Sequence, residues 1–118
     1  MKKCLVLAVI IFFSCHKDEL SPTITVTSPI NNQIFNGGQT VLITANISDE
    51  DGLHMIHLAV TDNTTGGHLV HFEEHFDGRN YTLNQSFSPQ SGRSYLIEIE
   101  ATDHAENTAK QNLTVSAN

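Results

Sequence analysis

The side chains with the widest chemical scope in this chain are its carboxylates and its imidazoles, thirteen and seven of them respectively. The acids are densest at Asp49-Glu50-Asp51-Gly52 and again at Asp103-His104-Ala105-Glu106-Asn107. Several hard carboxylate oxygens converging from two segments suit Ca²⁺. Asp49, Asp51, Asp103 and Glu106 are therefore a candidate Ca²⁺ set, provided the fold brings the two segments together. The spacing is not that of an EF-hand, because Gly52 follows only three acidic positions. The competing reading is local: Asp forms turns by accepting hydrogen bonds from backbone N–H groups a residue or two away.

The imidazoles raise a second candidate. His54, His57, His68, His71, His75 and His104 are many for one small domain, and His16 lies near the start. On an extended strand, His71, Glu73 and His75 share one face, and His57 belongs to a neighbouring run. Grouped imidazoles bind Zn²⁺, so His57, His71 and His75 are the candidate zinc ligands. Against this, no His-Glu-x-x-His pattern is present, and His is an acceptable exposed strand residue.

Catalysis finds little to work with. There is no Gly-x-Ser-x-Gly elbow and no Gly-rich phosphate loop. Glu73 and Glu74 are adjacent, so on a strand they face opposite ways. The chain is expected not to be an enzyme. A small enzyme or enzyme subunit completed by a partner chain is the least favoured reading. From Cys15 onward only Lys17, Arg79, Arg93 and Lys110 oppose all thirteen acids. Such a surface is repelled by nucleic acid and by anionic headgroups.

The elements that must position these groups read as β throughout. From Ser21, short runs rich in Val, Ile and Thr are separated by turn residues at sandwich-like spacing. Residues 40–47 alternate, with Val41, Ile43, Ala45 and Ile47 on one face. Residues 48–52 read as an acidic loop, and residues 54–61 alternate again with Ile56, Leu58 and Val60 inward. Residues 68–72 and 81–87 read as separate strands, the latter with Tyr81, Leu83 and Phe87 inward. Residues 95–101 place Tyr95, Ile97, Ile99 and Ala101 inward, and residues 109–115 close the domain with Leu113 and Val115. Pro22, Pro29 and Pro89 fall between runs, as strands require. The expected fold is an all-β antiparallel sandwich of immunoglobulin type with seven or eight strands. At one end of such a sandwich the two acidic segments emerge together.

The first residues differ in kind. Met1-Lys2-Lys3 is a basic start, residues 4–13 are apolar, and Ser14-Cys15 follows. That is the anatomy of a secretory leader, too short for a permanent membrane span. Phe12-Phe13-Ser14-Cys15 resembles the lipobox of bacterial lipoproteins, with Phe12 where an aliphatic residue is usual. The resemblance implies cleavage before Cys15 and its diacylation. An ordinary signal peptide with an incidental Cys is the alternative. Lys17-Asp18-Glu19 resembles the lipoprotein export signal of Bacteroidota, which implies the outer face of the outer membrane. A plain polar tether is the alternative. The expected organisation is a leader over 1–14, an acylated tether over 15–21 and a sandwich over 22–118.

Ser28-Pro29-Ile30-Asn31-Asn32 with Gly37-Gly38 resembles the opening of bacterial Ig-like repeats. Ser91-Gly92-Arg93-Ser94-Tyr95, followed by Ala101-Thr102-Asp103-His104-Ala105-Glu106-Asn107, resembles their ending, with Glu106 where Gly is usual. Tyr95 stands where a tyrosine corner bonds back to nearby backbone. The resemblance implies a lipid-anchored surface module that binds or scaffolds, held to the membrane by its lipid and meeting a glycan or protein partner. The tip segments 49–53 and 103–108 are the expected contact surface. A calcium-dependent module with ions at that tip is the alternative.

Overall fold

The computed structural model describes residues 20–118. The leader, Cys15, His16 and the Lys17-Asp18-Glu19 signal lie outside the described residues. Six strands follow in order: β1 (Thr23–Ser28), β2 (Ile34–Phe35), β3 (Val41–Asp62), β4 (His68–Phe87), β5 (Ser94–Asp103) and β6 (Thr108–Ala117). The expected immunoglobulin-like architecture is present, with six strands in place of seven or eight. Two joins remove two strands, and the two-residue β2, absent from the sequence reading, adds one. Runs expected as separate strands are continuous, residues 40–47 with 54–61 in β3, and residues 68–72 with 81–87 in β4.

β3 and β4 serve both layers of the sandwich. The first part of β3 pairs with β1 (Ile24↔Ile47) and with the end of β4 (Ala45↔Leu83). Its second part pairs with the start of β4 (Leu58↔Phe72) and with β5 (Leu58↔Ile99). The register shifts between Ser48 and Leu53, where the chain passes from one layer to the other. Strands that change sheet do so at such bends and bulges. The acidic segment 48–52 is therefore extended backbone at a corner rather than a loop. β6 completes the second layer against β5, and β2 pairs with it in parallel.

Period-two alternation fills the space between the layers. Val41, Ile43 and Ile47 from β3 face Ile56, Leu58 and Val60 of the same strand, with Leu83, Ile97, Ile99 and Val115 closing the core. Tyr81 and Leu113, expected inward, pack against its margin. Each fully buried aliphatic side chain contributes about 1.5–3 kcal/mol, which explains why this core needs no disulfide.

The strand directions define two ends. Leu20, residues 48–53, residues 76–80 and the β5–β6 turn lie at the end where the chain enters. Residues 29–40, 63–67 and 88–93 lie at the other, together with the C-terminus.

Candidate functional site

The two acidic segments meet at the entry end. Leu53 stands opposite Asp103 in the β3–β5 register, and His104 N–H donates to the Gly52 carbonyl at 3.3 Å. Gly52 has φ of +110°, and a Cβ there would come within 3.2 Å of the His104 ring. The positive φ favours glycine at this crossing, and a Cβ would press on the His104 ring.

Asp103 is fully buried. Its Oδ1 accepts the backbone N–H groups of Ala105 at 2.9 Å and Asn107 at 2.8 Å, and its Oδ2 accepts the Asn107 side-chain amide at 3.1 Å. The turn closes through Glu106 N–H to the Asp103 carbonyl at 3.0 Å, with Glu106 in the left-handed region at φ of +70°. The tight turn thus forms with glutamate in the position where glycine is usual. Asp49 is also buried and accepts the Asp51 N–H at 3.0 Å.

These contacts give Asp49 and Asp103 local partners within their own segments. Among the described residues, no group of three or more His, Cys, Asp or Glu side chains is placed to hold a metal ion. Asp49, Asp51, Asp103 and Glu106 share one end of the fold, but the buried carboxylates are engaged with backbone N–H groups. Beside them Leu20, Ser21, Thr23 and residues 48–51 line a cleft of about 310 Å³.

The histidines divide into two groups on the outer face of the β4–β3–β5 layer. His57 and His71 meet across β3 and β4, with Nε2 to Nε2 at 3.2 Å and rings 5.1 Å apart. His68 stacks on His71, and its Nδ1 lies 3.1 Å from the Thr61 hydroxyl. His75 belongs to the other group. It stands opposite Met55 and contacts His54, which in turn contacts His104 at 5.2 Å between centroids. The expected trio of His57, His71 and His75 is therefore split. In the register His57 faces Glu73, with His71 (opposite Ala59) and His75 (opposite Met55) as diagonal neighbours on either side, and it is His71 whose ring contacts His57.

Sequence reading missed the second group. His54, His75, Phe76, Asp77 and His104 line a shallow cleft of about 240 Å³, and His104 Nε2 lies 3.2 Å from Asp77 Oδ1. Those residues come from three distant segments. Only the strand register and the β5–β6 turn unite them.

The opposite end is built for rigidity. Tyr95 is fully buried, packs edge-on against Phe87, and its hydroxyl accepts the Gln90 N–H at 2.8 Å. This is the tyrosine corner expected from the sequence. Arg93 pairs with the nearly buried Asp62 at 2.5 Å, and Thr64 N–H donates to the same carboxylate at 2.8 Å. Burial raises the Asp62 pKa, but the Arg93 hydrogen bond, the Thr64 N–H and the guanidinium charge outweigh it and hold the carboxyl below its usual range. Near the layer crossing, burial and a 2.6 Å hydrogen bond to Glu74 push the Tyr81 hydroxyl up to about 12.

The same architecture recurs in solved structures. Fibronectin(III)-like modules of CbhA from Clostridium thermocellum superpose with a TM-score of 0.56 at 20% identity, covering 86% of this chain and 48% of theirs. OgpA from Akkermansia muciniphila superposes with 0.53 at 12% identity, covering 88% of this chain and 31% of that one. A catalytically inactive OgpA in complex with an O-glycopeptide substrate gives 0.52 at 12% identity, again covering 88% and 31%. The chain thus spans about half or less of the length of these structures, and what they share with it is the fold. No curated protein is similar to the chain. Residues 22–115 match the Bacterial Ig domain family from the first strand to the last. With the tyrosine corner and the Asp103 turn in place within that span, the chain belongs to the bacterial Ig domain family.

Proposed function

We propose that this protein is a lipid-anchored module on the outer face of the outer membrane, which binds or scaffolds a glycan or protein partner without catalysis of its own. The observation that carries the reading is the leader ending at Cys15, placed just before a single family domain. Lys17, Asp18 and Glu19 supply the export signal, and the acyl chains on Cys15 supply the membrane affinity.

The short tether sets the domain's orientation. Five residues from Cys15 reach at most about 18 Å to Leu20. Leu20 borders the acidic cleft, and its carbonyl accepts the Asn107 side-chain amide at 3.3 Å. In this reading the anchored domain turns residues 49–53 and 103–108 toward the membrane, and the outer face of the β4–β3–β5 layer and the loops at the opposite end are turned outward, toward a partner.

Cell fractionation of Cys15→Ala tests the anchor. The leader-cleaved variant is expected in the soluble fraction, and its retention in the membrane fraction overturns the reading. Protease treatment of intact cells tests the exposure: the wild-type domain is degraded, and a variant with Lys17, Asp18 and Glu19 replaced by Ala is protected.

A further inference from the structure

We propose that His57 and His71 form a binding site for a transition-metal dication of the zinc, nickel and copper class. The proposal rests on the spacing of the two Nε2 atoms, 3.2 Å. Two imidazole nitrogens bound to one tetrahedral Zn²⁺ at about 2.0–2.1 Å stand about 3.3 Å apart. The rings already stand at that separation, 81° from parallel, and both Nε2 atoms are the atoms that meet. In the absence of metal the same gap is bridged by one proton, with one ring as the Nε2–H tautomer and the other as acceptor.

The surroundings favour a cation. In the strand register His57 is flanked by Glu73 on β4 and Glu100 on β5, and it lines a small cleft with Glu98, Glu100 and Lys110. Lys110, 3.7 Å from Glu98, is the one base of that cleft against its two acids. His71 is held from behind by the stacked ring of His68, itself tied to Thr61. Imidazole suits zinc, nickel and copper better than the oxygen-seeking ions. Two protein ligands leave the remaining positions to water or to a group brought by a partner, so the metal exchanges readily.

The test is calorimetric titration of Zn²⁺ into the full, tag-free chain in detergent at pH 7.5. His57→Gln, His71→Gln and His75→Gln are compared, with far-UV circular dichroism confirming that each folds. Binding is expected at this pH. Losing either proposed ligand should weaken the tightest site by at least the about 10- to 100-fold that an outer partner of a metal ligand is worth. His75→Gln should bind as wild type. Absence of Zn²⁺ binding overturns the proposal, as does a tightest site insensitive to both His57→Gln and His71→Gln. Loss of that site in His75→Gln alone assigns the metal to the other imidazole group and equally overturns it.

Discussion

Replacing Asp103 with Ala removes the acceptor on which the β5–β6 turn is built. The carboxylate is fully buried and receives three hydrogen bonds, two of them from backbone N–H groups. Hydrogen bonds to a charged group are worth about 1.5–3 kcal/mol each, and an orphaned buried donor costs about 1–3 kcal/mol. The three bonds share one acceptor, so their losses do not add, and about 3–4 kcal/mol is the expected destabilisation. In a domain of this size that lowers the melting midpoint by about 12 °C or more. Asp103→Asn separates geometry from charge. Its oxygen still accepts from Ala105 and Asn107, but its amide then faces the Asn107 amide, and about 1–2 kcal/mol is expected. Urea denaturation followed by circular dichroism is the assay, because the chain has no Trp. An Ala variant within 1 kcal/mol of wild type by this ledger would refute the turn's dependence on Asp103. An Asn variant as unstable as Ala would show that charge, not acceptor placement, holds the turn.

Three further outcomes follow from the same geometry. Glu106 sits at φ of +70°, so Glu106→Gly relieves a left-handed backbone and should stabilise the domain by about 0.5–1 kcal/mol in the same denaturation assay, net of glycine's entropy. Asp62 is held below its usual 3.8 by Arg93 and the Thr64 N–H. A depressed carboxyl stabilises the fold above its unfolded pKa, and that stability is lost as pH falls through the folded value. The wild-type urea midpoint should therefore drop from about pH 4 downward more steeply than that of Asp62→Asn, and parallel profiles would sink the assignment. Thermal melts in excess calcium and in chelator decide the ion question: coincident curves leave the acids as turn-formers, and a calcium-dependent rise of several degrees assigns Asp49, Asp51, Asp103 and Glu106 as ligands.

Much of the fold is legible in the residues themselves. The alternation of Val41, Ile43, Ala45 and Ile47, and of Tyr95, Ile97, Ile99 and Ala101, dictates which face is buried, because strand side chains alternate strictly. Tyr95 after Gly92 marks the corner that the Gln90 N–H completes. Asp103 before Asn107 marks the turn it caps. These are local signals, carried by short spacings along one chain segment.

What the chain alone left open is whatever depends on register and on the crossing between layers. Residues 48–52 look like a loop because they are polar and end in glycine, yet β3 runs through them into the second layer. The histidines look like one group because His71 and His75 share a face. The register sets His57 opposite Glu73, with His71 and His75 as its two diagonal neighbours, and only the side-chain contacts show that His71 meets His57 while His75 meets His54. The carboxylates likewise look alike along the chain, and only the fold shows that Asp49 and Asp103 are buried and accept backbone N–H groups.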